Sequence, residues 1–261
     1  MNIIQSSLSS STLTPKRTNT NVQTYCLAKQ LTELKLGNMI IDTDHVDCKM
    51  SDYIIDECSF QQGYSFNKKE FAYPTNHSHL MSSCRRQSDG FKCLKAYAKC
   101  LPPLSRQVLT ALVQSRQKFN KKICTEKPGE WSNKMLEADR CILGHKDLLE
   151  KGMQVEIHNI AVPEAILNSK IETTEERLKY SCCSVASSRR EFIDISSPHC
   201  KQHLPIATEL VDSFLAETTS IICPDNEKQR NECDKLPKLP ISRAKSRAFI
   251  FPTLKVIQTL A

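Results

Sequence analysis

The chain has 261 residues, a net charge of +7, 13 cysteines and only 6 glycines. So few glycines exclude a doubly wound nucleotide-binding enzyme, whose phosphate loops and strand turns depend on them, and argue against an all-β sandwich. No apolar run approaches the roughly 18 residues that mark a membrane span, so no transmembrane helix is expected.

Residues 1–24 are rich in Ser, Thr, Asn and Gln, lack apolar periodicity and read as disordered. Leu27, Leu31 and Leu34 have the spacing of a short helix within residues 25–47. A secretory leader needs a basic start and an apolar run of about 7–15 residues, and Met1–Ser7 shows neither. Residues 1–47 are therefore expected to be a mostly disordered leader, carrying one cysteine, Cys26.

Cysteines then dominate from 48 to 233: Cys48, Cys58, Cys84, Cys93, Cys100, Cys124, Cys141, Cys182, Cys183, Cys200, Cys223 and Cys233. None is spaced as the CxxC knuckle that zinc sites favour. The number is even, and the adjacent pair Cys182-Cys183 cannot readily bond to itself. A disulfide framework follows, with six bridges in an oxidising compartment. Disulfides outweigh the missing leader, and the expected location is secreted (extracellular). Cys26 is left over as an outsider.

The first convincing helix runs from about Leu80 to Leu101, with Phe91, Leu94, Tyr97 and Leu101 recurring along one stripe. Cys93 and Cys100 lie two turns apart on it, so each must reach a neighbouring segment. Pro102-Pro103 ends this helix, and a second runs from there to about Cys124. Val108, Leu109, Leu112, Val113, Phe119 and Ile123 form its apolar face. Arg106, Arg116, Lys118, Lys121 and Lys122 are expected on its wet face. Trp131, Met135, Ala138 and Cys141 fit a short third helix. Leu148 to Ile160 fits a fourth, although Val155 and Ile157 alternate like a strand. Thr173 to Glu176 reads as a capped start for a fifth, carrying Leu178, Cys182 and Val185. Pro205 opens a last helix through Ile222, closed by Cys223-Pro224. The fold class is therefore all-α: a disulfide-stapled bundle of about five to six helices over residues 48–233, with disordered termini.

Residues 234–261 form a basic, proline-containing tail. Its six cations, Lys235, Lys238, Arg243, Lys245, Arg247 and Lys255, face the single Asp234, a balance of +5, and residues 1–47 balance to zero. The cysteine block keeps only +2 of the total charge. That is too little to argue for nucleic acid, and aromatics are not interleaved with its cations. Arg243, Lys245 and Arg247 precede Phe249, Ile250 and Phe251, which allows at most weak membrane-surface contact through the tail.

Several stretches together resemble a known family: Phe91-Lys92-Cys93-Leu94-Lys95-Ala96-Tyr97-Ala98-Lys99-Cys100-Leu101, then Ser105 to Leu109, Ile123-Cys124, Cys182-Cys183-Ser184 and Ile222-Cys223-Pro224. The chain resembles the uncharacterised cysteine-rich secreted proteins of arthropods, akin to a nematode extracellular domain of unknown function. The resemblance covers about residues 48–240, and Phe-x-Cys-Leu-x-x-Tyr-x-x-Cys-Leu is its most specific part. It implies a secreted, all-α, disulfide-linked domain with no established activity. It also implies that two family cysteines are replaced here by Gly152 and Glu191, which would then lie close together.

Candidate sites are few. Asn76-His77-Ser78 is a glycosylation sequon, with Asn76 the acceptor. His199 and His203, with Cys182, Cys183 and Cys200, have the residue types of a zinc site. Disulfide commitment of those cysteines is the stronger reading, so no metal and no cofactor is expected. A catalytic thiol would need a low-pKa free cysteine with a base, and no such pairing is legible. The expected function is a non-enzymatic interaction or carrier domain, with an extracellular protein or a small apolar ligand as partner. A lipid or apolar-ligand binder would require a cavity between the helices, and a hydrolase would require a buried acid–base constellation.

Overall fold

The computed structural model describes residues 33–36, 39–61, 73–223, 233, 235–241, 245, 246 and 248–260. Residues 1–32, including Cys26, Leu27 and Leu31, lie outside the described residues, as do Arg243 and Arg247. The fold is all-α and disulfide-stapled. Two short strands, β1 (Glu33–Leu36) and β2 (Met39–Asp42), pair antiparallel with Leu34 opposite Ile41. A 3-10 turn at Cys48–Met50 leads into α1 (Ser51–Phe60). There follow α2 (His77–Ala98), α3 (Pro103–Ile123), α4 (Glu130–Gly144), α5 (Lys146–Asn168), α6 (Thr174–Cys200), α7 (Leu204–Ile222) and α8 (Ile250–Gln258).

The sequence states the helix boundaries chemically. Asn76 is the N-cap of α2, its Oδ1 accepting from His79 N at 2.9 Å. Pro103 opens α3, where a missing N–H costs nothing. Ser132 Oγ accepts from Gly129 N at 2.8 Å at the start of α4. Thr173 Oγ1 accepts from Glu176 N at 3.2 Å, satisfying one of the orphan donors at the start of α6. The stretch around Val155 and Ile157 is helical, inside α5, and Ile157 is exposed. Helix α6 continues through Pro198 to Cys200, well beyond Val185.

The main core gathers the Phe-x-Cys-Leu-x-x-Tyr-x-x-Cys-Leu stretch. Phe91, Cys93, Leu94, Tyr97 and Leu101 are all buried with Val108, Leu109, Leu112 and Val113 of α3. Burying a large apolar side chain contributes about 1.5–3 kcal/mol, so this α2–α3 seam is a principal source of stability. Leu80, Phe119, Ile123 and Met135 form a second cluster where α2, α3, α4 and α7 meet.

Helix α1 was not expected from sequence, so the described residues of 48–233 hold seven α-helices, α1 to α7, where five to six were expected, and two further segments depart from expectation. Leu34 is in a strand, not a helix, and with Ile41 it joins the main core. The tail's apolar end is α8, and Ile250, Leu254 and Ile257 are buried in that same core. Of the aromatic end of the tail, Ile250 is thus interior, while Phe249 and Phe251 are half-buried against the same core. Lys255 Nζ meets Asp52 of α1 at 2.6 Å, and Ser105 Oγ of α3 donates to Leu254 O at 3.5 Å.

Six disulfides pin the elements: Cys48–Cys100, Cys58–Cys93, Cys84–Cys124, Cys141–Cys200, Cys182–Cys223 and Cys183–Cys233. Their Cα atoms lie 5.3–6.0 Å apart, within ordinary disulfide reach. Cys93 and Cys100 staple α2 to α1 and to the turn before it. The adjacent Cys182 and Cys183 do go to separate partners.

Candidate functional site

A partly enclosed cavity of about 200 Å³ lies among α4, α5, α6 and α7, closed at one end by Phe60 of α1 and by Phe249 and Ile250 at the start of α8. Helix periodicity makes it. Met135, Ala138, Asp139 and Ile142 recur along one face of α4, and all four line the cavity. Helix α7 faces them with Ala207, Val211, Phe214 and Leu215, and α6 contributes Phe192. Helix α5 adds Gly152, Val155, Glu156 and Asn159, and Tyr73 also lines the cavity.

The helices around the cavity are fixed by both covalent and polar contacts. Cys141–Cys200 ties the end of α4 to the end of α6. Along α5 and α6, His199 Nε2 lies 3.3 Å from Asp147 Oδ2, and Ser188 Oγ donates to Asn159 Oδ1. These pairs define an antiparallel register in which Gly152 and Glu191 fall on facing stretches, about one helical turn out of step. Arg189 on α6 makes a two-pronged bridge to Asp212 on α7, with Nε–Oδ1 2.6 Å and Nη2–Oδ2 3.1 Å.

Polar groups on the wall are mostly committed elsewhere. Ser59 Oγ donates to Ile55 O at 2.5 Å, and Ser188 Oγ also meets Ser184 O at 2.7 Å. Asp139 differs. It is 0% exposed, and neither carboxyl oxygen has a hydrogen-bond partner among the described residues. Burial alone holds its carboxyl well above the ordinary aspartate range.

A second buried polar cluster sits beside the cavity. Arg116 is 0% exposed, so it belongs to the interior and not to the wet face of α3. Its guanidinium donates to Ser213 Oγ at 2.8 Å and to Gln87 Oε1 at 3.2 Å, and it stacks 3.8 Å from the centre of the Phe214 ring. Asn120 Nδ2 donates to the same Gln87 oxygen at 2.8 Å. This arrangement desolvates a cation against an aromatic face and fixes Phe214, which is a cavity wall. Arg106, Lys118 and Lys121 are exposed as expected, and Lys122 is half-buried, bridged to Glu209 of α7.

Cys182, Cys183 and Cys200 are all bonded to other cysteines and cannot be thiolate ligands. His199 instead stacks on His145, ring centres 4.4 Å apart, beside Asp147. Their ligand atoms lie within 4.8 Å of one another on the surface next to the Cys141–Cys200 bridge. Asn76 is exposed. Among the described residues no helix is long and apolar enough to cross a membrane.

The cavity and its buried Asp139 were not among the residues singled out from sequence. A signal for both existed. Asp139 lies four residues after Met135 and three before Ile142, and Arg116 lies three after Val113 and three before Phe119. Each is a charged residue on an apolar stripe.

No family model, curated protein or solved structure matches the chain.

Proposed function

We propose that this chain is an extracellular, non-enzymatic carrier of a small apolar ligand. The cavity between α4, α5, α6 and α7 carries this reading. Its wall is built chiefly from Met135, Phe192, Val211, Phe214 and Leu215, the apolar lining typical of small-molecule sites. An engineered apolar cavity of about 150 Å³ suffices to hold benzene. A cavity of about 200 Å³ therefore suits a molecule of roughly eight to ten non-hydrogen atoms by the same scaling.

Six disulfides support secretion, since such bridges persist in oxidising compartments. In that setting Asn76, exposed at the N-cap of α2, is the expected glycan site. A pinned helical shell also keeps a cavity open when empty, which a carrier needs in order to reload.

The test is displacement of an apolar fluorescent dye from the purified, fully oxidised protein, compared with Val211→Trp. Val211 is a half-buried cavity residue, so the indole fills the space without entering the main core. Dye affinity should fall at least about tenfold, the loss of roughly one apolar contact surface, with the six bridges unchanged by peptide mapping. Equal binding by the two proteins would refute the reading.

A further inference from the structure

The carrier reading leaves one group without a reason to be where it is. Asp139 is fully buried on the cavity face of α4, with both oxygens unpaired among the described residues. Buried polar groups in folded proteins are almost always hydrogen-bonded, and each exception calls for an explanation. An ionised carboxylate here would cost several kcal/mol of desolvation with no cation to offset it. The neutral acid is the form that burial favours. A neutral carboxyl has one O–H donor to place.

No polar group of the wall takes that proton: Tyr73, Glu156 and Asn159 also line the cavity, yet the Asp139 carboxyl has no hydrogen-bond partner among the described residues. The hydroxyls of Ser59 and Ser188 are already engaged with backbone carbonyls. A trapped water would need two to four polar partners, and the residues beside Asp139 on the same face of α4, Met135, Ala138 and Ile142, are apolar. A cationic ligand would have to shed its hydration for a single counter-ion in an apolar space, a poor exchange. A neutral oxygen loses far less on entry and satisfies the donor.

We infer that Asp139 is the polar anchor of the cavity, and that the ligand is an oxygen-bearing hydrocarbon, a small ketone or alcohol whose oxygen accepts from the Asp139 carboxyl while its chain fills the space between α4 and α7. This inference rests on the carrier reading. The geometry also gives specificity: an unpaired carboxyl donor among mainly apolar side chains selects molecules that carry an oxygen on a hydrocarbon.

The experiment measures partition of octan-2-one, 1-octanol, n-octane and octylamine between headspace and the full, oxidised chain, for the wild type and Asp139→Leu. An all-apolar cavity binds octane more tightly than the ketone, because the ketone gives up hydrogen bonds to water. With the anchor, octan-2-one and 1-octanol bind the wild type at least as tightly as octane. D139L lowers their affinity about tenfold and leaves octane within about threefold. If octane binds best and D139L does not alter the ratio, the anchor is refuted while the carrier reading stands. If octylamine binds best, an ion pair replaces the proposed hydrogen bond and the inference is overturned. If none of the four binds, the carrier reading falls and the anchor with it. Should D139L not fold, the wild-type ranking of ketone against alkane decides alone.

Discussion

Asp139 has a consequence for stability that is independent of any ligand. Its folded pKa lies well above its ordinary value because burial disfavours the charge. Below the ordinary aspartate range, both folded and unfolded chains hold the proton and the group adds no pH-dependent cost. As pH rises past that range, the unfolded chain releases its proton while the folded protein keeps it. Stability therefore falls, by up to about 1.4 kcal/mol per pH unit, until the buried group's own raised pKa is reached. Asp139→Asn removes this slope. Guanidinium denaturation of the oxidised protein should show D139N gaining on the wild type from pH 4 to pH 7, and a constant difference would show that Asp139 is not buried as a neutral acid. The residue scale is also where sequence reading was weakest. Arg116 and Lys118 are two positions apart on one basic helix, yet Arg116 is buried and Lys118 exposed. Charge suggested a wet face for both, whereas the position of Arg116 on the stripe of Leu109, Leu112 and Val113 was the better guide. Tertiary partners, Gln87, Ser213 and Phe214, make that burial tolerable, and no local pattern reveals partners so far along the chain.

Among the elements, the long helices were legible because each carries its own start signal, its own stripe and its own stop. The hairpin, α1 and α8 were not. Glu33 to Leu36 alternates polar and apolar residues, and Gly37-Asn38 between two apolar runs is a hairpin signature. Helical spacing of Leu27, Leu31 and Leu34 competed with it. Nine-residue α8 is marginal by itself and is held by α1, α3 and α5, which the sequence does not display as its neighbours. The cavity likewise arises between elements, where α4, α5, α6 and α7 leave a gap that none of them encodes alone. Its edge depends on the Cys141–Cys200 bridge, which spans 59 residues. Replacing both cysteines by serine should cost about 4 kcal/mol on chain entropy and should weaken dye binding, since α4 and α6 are then free to part. Thermal unfolding beside dye titration checks both. A lowered melting temperature with unchanged affinity would mean that packing alone shapes the cavity. At this scale Glu164 of α5 plays a related part. Burial raises its pKa, but hydrogen bonds from Lys245 N and Ser246 N outweigh that and hold its carboxyl below the ordinary range. The contact is therefore strongest above the ordinary glutamate range and is lost as pH falls through the lowered value, loosening the approach to α8 in acid.

At the scale of the whole molecule, composition gave the class correctly: few glycines, many cysteines and strong helical stripes define a stapled bundle. Which cysteine meets which was not readable, because twelve cysteines permit many pairings and only the packing of helices selects one. The selected set has a simple graph. The bridges of Cys48, Cys58, Cys84, Cys93, Cys100 and Cys124 stay among themselves, and those of Cys141, Cys182, Cys183, Cys200, Cys223 and Cys233 do the same. Among the described residues no bridge crosses the exposed turn at Glu126 and Lys127. The main core does cross it, since Leu94 and Val108 pack in one cluster with Cys182 and Ile222. The described residues thus form two separately cross-linked halves that share one apolar interior and are joined by the single stretch of backbone through that turn. A glutamate-specific protease cutting after Glu126 should leave a complex that migrates as one particle in native buffer. The same sample should fall into two pieces on a non-reducing denaturing gel, while a single cut between Cys141 and Cys182 leaves one linked species there.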